Sequence, residues 1–120
     1  MPRITNHQVR AYVERKEPFI TGNKTIWAEN YTSPVTGAQL YVVYSYDRHF
    51  PMYVYDYGTK TWFGNESKYS RTTTTHQSKA RPLGTYIEWC FTPYLIALIR
   101  AGGYAAHCAR RVITAEGTAA

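Results

Sequence analysis

Two neighbouring stretches constrain this chain more than anything else in it: Leu40–Tyr46 (LYVVYSY) and Met52–Tyr57 (MYVYDY). Nearly every position in them is β-branched or aromatic, the residue types that fit a pleated, half-buried surface. The loop 47–51 separates them, and the turn Tyr57-Gly58-Thr59-Lys60 leads on to Thr61-Trp62-Phe63. Three consecutive strands so closely joined predict an antiparallel meander. Thr25–Tyr31 (TIWAENY) is a candidate fourth strand, followed by a Pro- and Gly-containing turn at Ser33–Gly37. Strand side chains alternate, so Tyr53, Tyr55 and Tyr57 share one face, and Met52, Val54 and Asp56 the other. By the same rule Leu40, Val42, Tyr44 and Tyr46 share a face opposite Tyr41 and Val43.

The helical signals lie at the two ends of the chain. Thr92-Pro93 reads as N-cap and N1 proline, and Leu95, Ile96, Leu98 and Ile99 supply an apolar face. Gly102-Gly103 ends that helix, giving 93–101. Tyr104–Val112 reads as a second helix, and 114–120 as a frayed tail. Near the N-terminus, Thr5 and Gln8 match a capping box, Val9, Tyr12 and Val13 recur at helical spacing, and Pro18 stops the run. A short helix over about 6–16 follows. A chain of 120 residues is one domain, which excludes a two-domain enzyme of the kinase or dehydrogenase type. The expected fold is α+β over 1–113: a three- to four-stranded antiparallel meander sheet, a C-terminal helix packed on one face, and the N-terminal helix at an edge.

Leu, Ile, Val and Phe are sparse, and 12 Tyr and 3 Trp must supply the missing apolar area. The stripe Tyr53, Tyr55, Tyr57 therefore has competing readings. It is the core face, packed on helix 93–101, or an exposed platform on which unpaired bases stack. Tyrosines that the core does not use could instead form a homodimer face.

The formal net charge of +6 is uneven. Residues 1–66 hold seven basic and six acidic groups, a net of +1; residues 67–120 hold seven and two, a net of +5. A polyanion suits the second half. The segment 64–84 (GNESKYSRTTTTHQSKARPLG) reads as a long basic polar loop or arm, with no acid between Glu66 and Glu88. Lys68, Arg71, Lys79 and Arg81 would neutralise phosphates there, and Tyr69 and His76 could stack. Arg100, Arg110 and Arg111 extend the set. The plainer reading of the same residues is a solvated loop.

Catalytic motifs are lacking. The four histidines, His7, His49, His76 and His107, show no zinc spacing, and no phosphate-cradling glycine loop occurs. Eight scattered acids do not suggest a metal nuclease. Asp47 and His49 could form an acid–base couple, and His49 or His76 with Lys68 or Lys79 could serve a metal-independent nuclease. Neither cofactor nor metal is expected. Cys90 and Cys108 form no CxxC, and Cys90, beside Trp89, reads as a buried thiol. With no secretory signal and no apolar run long enough for a bilayer, a cytoplasmic, non-membrane protein is expected.

The block Tyr41–Tyr46, His49-Phe50-Pro51, Trp62–Asn65, Lys68-Tyr69-Ser70, Thr73-Thr74, His76-Gln77 and Arg81-Pro82 resembles short proteins of tailed bacteriophages and mobile elements, an uncharacterised domain family. The resemblance spans roughly 5–82 and implies an accessory protein working in a bacterial host cell; it supplies no activity. Three functions follow for testing. The first is a non-enzymatic nucleic-acid-binding protein, directed to single strands or to the backbone, that uses the basic arm and the tyrosine-rich sheet. The second is an inhibitor docking on a host nucleoprotein machine, such as a CRISPR-type defence complex or RNA polymerase. The third is the small nuclease. The residues favour binding over catalysis.

Overall fold

The computed structural model of the chain describes residues 1–68 and 70–109. One seven-stranded sheet runs through it in sequential order: β1 (Arg3–Ile4), β2 (Phe19–Thr21), β3 (Ile26–Thr32), β4 (Gln39–Ser45), β5 (Pro51–Asp56), β6 (Thr61–Asn65) and β7 (Ile87–Cys90). Helices α1 (Val9–Arg15), α2 (Arg71–Ala80) and α3 (Thr92–Ala101) accompany it. Neighbours from β2 to β6 pair antiparallel, whereas β1–β2 and β6–β7 pair parallel.

The sheet is thus mixed, and the expected three- to four-stranded antiparallel meander is corrected. The added strands β1, β2 and β7 are two, three and four residues long. Alternation cannot be read over so few positions. A parallel pair also needs a crossover rather than a hairpin, and α1 and α2 are those crossovers. β1, β2, β4, β6 and β7 run one way, β3 and β5 the other. Both crossovers therefore leave strands of the same sense and step the same way across the sheet. Right-handed connection then sets both helices on one face, where they pack together. The N-terminal helix is a cover for the sheet and not an edge decoration.

The sheet separates two cores. Beneath α1 and α2 lie Val9, Val13, Phe19, Tyr41, Val43, Tyr53 and Trp62; beneath α3 lie Leu40, Val42, Tyr44, Val54 and Phe63 with Leu95 and Leu98. Tyr53 is 1% exposed and Tyr55 half-buried, so these two of the stripe belong to the core, while Tyr57 is exposed. Their cover is the α1–α2 pair, on the opposite side of the sheet from the expected helix 93–101. A bulge between Val43 and Tyr44 lets Pro51 pair with Tyr44 and brings Met52 into the first core with Tyr53.

The largest correction concerns 64–84, which is no extended arm: it holds the end of β6, all of α2 and the approach to β7. Ser70 caps α2, its hydroxyl accepting from Thr73 N–H at 3.1 Å. The buried positions Thr73, His76, Gln77 and Ala80 follow the i, i+3, i+4, i+7 spacing of a helix face. That face is mostly polar, so apolar periodicity could not reveal it.

The other helices follow their sequence signals. Asn6–Gln8 form a 3-10 turn ahead of α1, Thr5 N–H donates to Gln8 Oε1 at 3.0 Å, and Lys16 ends α1 at φ 57°, before Pro18. α3 opens one residue earlier than expected, with Phe91 and not Thr92 as its N-cap and no side-chain cap; Pro93 stands in its first turn, and it ends at Gly102, φ 90°. A Cβ at Gly102 would sit 2.5 Å from Thr36 Oγ1, so the turn requires glycine there. Helix resumes at 104–109, and Asp56, buried in the sheet, accepts Tyr104 N–H at 2.7 Å at its start. The remainder of the expected helix to Val112 and the tail 114–120 lie outside the described residues. No described helix is long and apolar enough to cross a membrane.

Candidate nucleic-acid interface and a second cleft

A helix with a polar inner face stays on a sheet only if that face is hydrogen-bonded. His76 Nδ1 lies 2.8 Å from Ser45 Oγ, with the Tyr46 ring against the imidazole. Gln77 Nε2 donates to the carbonyls of Asn65 (2.7 Å) and Ser67 (3.0 Å), and its Oε1 accepts from Lys68 Nζ at 3.1 Å. Tyr53 donates its hydroxyl proton to the Gln77 carbonyl at 2.7 Å, which fixes sheet to helix. Burial pushes the Tyr53 hydroxyl up to about 12, so it remains a donor at ordinary pH. Burial, with Lys79 close by, holds the His76 imidazole below its usual value, favouring the neutral ring.

With its inner face satisfied, α2 turns its charges outward. Arg71 is exposed at its first residue, and Lys79 lines a groove of about 290 Å³ with Asn6, His7, Arg10 and Ser78. Arg10 donates from Nη2 to the Ser78 carbonyl (2.7 Å) and from Nε to that of Arg81 (3.0 Å), joining α1 to the C-terminal end of α2. There its charge suits the helix dipole. Arg81 is exposed and lies 5.2 Å from the Trp89 ring. Lys68, Arg71, Lys79 and Arg81 thus gather around one helix, and Arg10 of α1 and His7 of the 3-10 turn before it join them. Glu14, the acid of that helix, accepts Leu83 N–H at 2.9 Å.

No family model, curated protein or solved structure matches the chain. Its chemistry is read from its own residues.

Several expected site residues fall elsewhere. Tyr53 and Tyr55 cannot stack bases: the first is enclosed, and Lys16 Nζ lies 4.4 Å from the ring of the second. Tyr57 is exposed at the strand end and donates to Asn30 Oδ1 at 3.0 Å. His76 is 5% exposed and held by Ser45. Arg100 lies on α3, across the sheet from α2. Tyr69, Arg110 and Arg111 lie outside the described residues. Burial pushes the half-buried Cys90 thiol up to about 12, 3.6 Å from the Gly64 carbonyl, which favours the protonated thiol at neutral pH. Among the described residues no cluster of His, Cys, Asp and Glu could hold a metal ion.

A second concavity, about 400 Å³, opens on the α3 face. Glu29 and Tyr31 of β3, Arg48 and His49 of the β4–β5 loop, and Ile99 and Arg100 of α3 line it. The expected Asp47–His49 couple forms here: His49 Nδ1 lies 3.1 Å from Asp47 Oδ1, and the imidazole is exposed. Arg48 pairs with Glu29 at 3.2 Å and places its guanidinium 5.0 Å from the Trp27 ring. Sequence reading passed over Arg10, His7 and Arg48. Each acquires its place from a contact with a distant segment, and no local pattern marks it.

Proposed function

We propose that the protein is a non-enzymatic nucleic-acid-binding accessory protein of phage or mobile-element type, acting in the bacterial cytoplasm and directed at the phosphate backbone. One observation carries the reading: the acid-free segment between Glu66 and Glu88 folds into a helix whose outer side and flanks present Lys68, Arg71, Lys79 and Arg81 beside Arg10. Exposed Lys68, Arg71 and Arg81 and half-buried Lys79, with the Thr72 and Ser78 hydroxyls beside them, suit phosphate oxygens and carry no base-reading geometry. The tyrosine platform has no part in this mechanism, because Tyr53 and Tyr55 belong to the core.

Fluorescence anisotropy with labelled single-stranded DNA, duplex DNA and RNA tests the proposal. For about four phosphate contacts the log–log salt slope should be about −3 to −4. The pair Arg71→Glu with Lys79→Glu, both on the outer side of α2, should abolish binding while leaving the thermal melt in place. Binding indifferent to salt, or unaffected in the double variant, would sink the reading.

A second reading, docking on a host nucleoprotein machine, is favoured by the β7 edge. Leu83, Tyr86, Trp89 and Phe91 are exposed along it, and the strand has β6 on one side only. Aromatic residues on an open edge suit a protein partner. A single host protein retained after nuclease treatment, and lost in Trp89→Ala, would favour this reading over the first.

A further inference from the structure

The cleft on the α3 face follows from an imbalance in the fold. Two helices cover one face of the seven-stranded sheet; on the other, α3 is packed over β5 and β6, with Tyr104 of the helical stretch that follows it against Phe63. The outer face of β3 is left half-covered, with Trp27, Glu29 and Tyr31 along it. The step between this strand and the flank of α3 is the cleft.

Its walls differ in chemistry. Tyr31, Tyr44, Ile96 and Ile99 make it apolar and flat-sided, and Tyr44 is itself stacked on Trp27 at 4.4 Å and 23°. Its rim is cationic. Arg100 is exposed at the end of α3 and makes no ion pair among the described residues, while Arg48 Nη2 donates to both Glu29 carboxylate oxygens, at 3.3 and 3.2 Å. Glu29 and the His49 ring add an acceptor and a polar ring edge. Aromatic and aliphatic walls beneath two guanidinium groups call for a planar ring carrying an anionic group. The volume of about 400 Å³ is enough for one such molecule.

We propose that this cleft binds a nucleoside monophosphate, its base between Tyr31 and the isoleucines of α3 and its phosphate on Arg100 and Arg48. The site is separate from the α1–α2 surface, on the other side of the sheet. Free nucleotide and the terminal nucleotide of a strand share this chemistry.

The test is calorimetric titration of the full chain with AMP, GMP, CMP and UMP, alongside adenosine and inorganic phosphate. At least one mononucleotide should saturate with a dissociation constant below about 1 mM. The nucleoside and phosphate alone should each bind about tenfold more weakly or worse. Arg100→Ala, an exposed helix-end change, should weaken the nucleotide about tenfold or more, and Arg48→Ala should act in the same direction. The Arg71→Glu, Lys79→Glu pair should leave it unchanged, which separates this site from the nucleic-acid surface. A trinucleotide with a 5′-phosphate binding about tenfold tighter than the mononucleotide would assign the site to strand ends; equal or weaker binding would assign it to the free nucleotide. No saturation with any nucleotide, equal binding of the nucleoside, or full binding by folded Arg100→Ala would overturn the proposal.

Discussion

The two faces of the sheet are covered by helices of equal length and opposite character. α3 presents Leu95 and Leu98 to Leu40, Val42, Val54 and Phe63, and is held by removal of apolar surface from water. α2 presents Thr73, His76, Gln77 and Ala80, and is held by hydrogen bonds to Ser45, Tyr53, Asn65 and Ser67. Apolar contact tolerates small shifts, whereas a buried polar network is all-or-none in its satisfaction. A polar-faced helix also leaves its outer side free for charge. The face that resembled a loop in sequence is thus the one that displays the cations.

Substitutions on the two faces should separate these modes of attachment. On the apolar side, Leu98→Ala should cost about 3 kcal/mol, read from urea denaturation, through lost transfer energy and a residual cavity. A cost below about 1 kcal/mol would show that α3 is loosely seated. On the polar side, Gln77→Ala should cost about 2 kcal/mol, because it strips the Asn65 and Ser67 carbonyls of a donor and Lys68 of its acceptor. If Gln77→Leu, of similar volume, were as stable as the native protein, the network would be dispensable to α2.

The smallest effect is one of pH. His76 has its folded value lowered below 6.5 by burial and Lys79, so the unfolded chain binds the proton more readily. Stability should be level above about 6.5, decline as pH falls towards the folded value, and level off below it. Urea midpoints between pH 8 and 5, compared with those of His76→Gln, isolate this ring from the other histidines. Parallel pH curves for the two proteins would contradict it.

Legibility in the sequence followed the same divide. The hairpins of β4, β5 and β6, α1 and the apolar face of α3 were readable from neighbours, because alternation, capping and turn residues act over a few positions. So was the meeting of Asp47 and His49, two residues apart in one loop. α2 was not, although Ser70 caps it and its buried positions keep helical spacing, because those positions carry threonine, histidine and glutamine. β1 and β7 exist as strands only through parallel partners brought by crossovers. The tyrosine stripe was correctly placed on one face, but the identity of its cover was not available locally.

The sequence alone determined a central aromatic sheet, an apolar C-terminal helix and a positive charge concentrated after residue 66. Burial preference and backbone alternation are properties each residue carries with it. Tertiary structure decided that both crossover helices share a face, that the basic segment is helical and that His76 is buried. It also decided that Arg48 and Arg100 flank one cleft. Those outcomes depend on hydrogen bonds and charges between residues far apart in the chain, such as Ser45 with His76 and Arg10 with Arg81. Such a partner acts only once the sheet has brought it within about 3 Å.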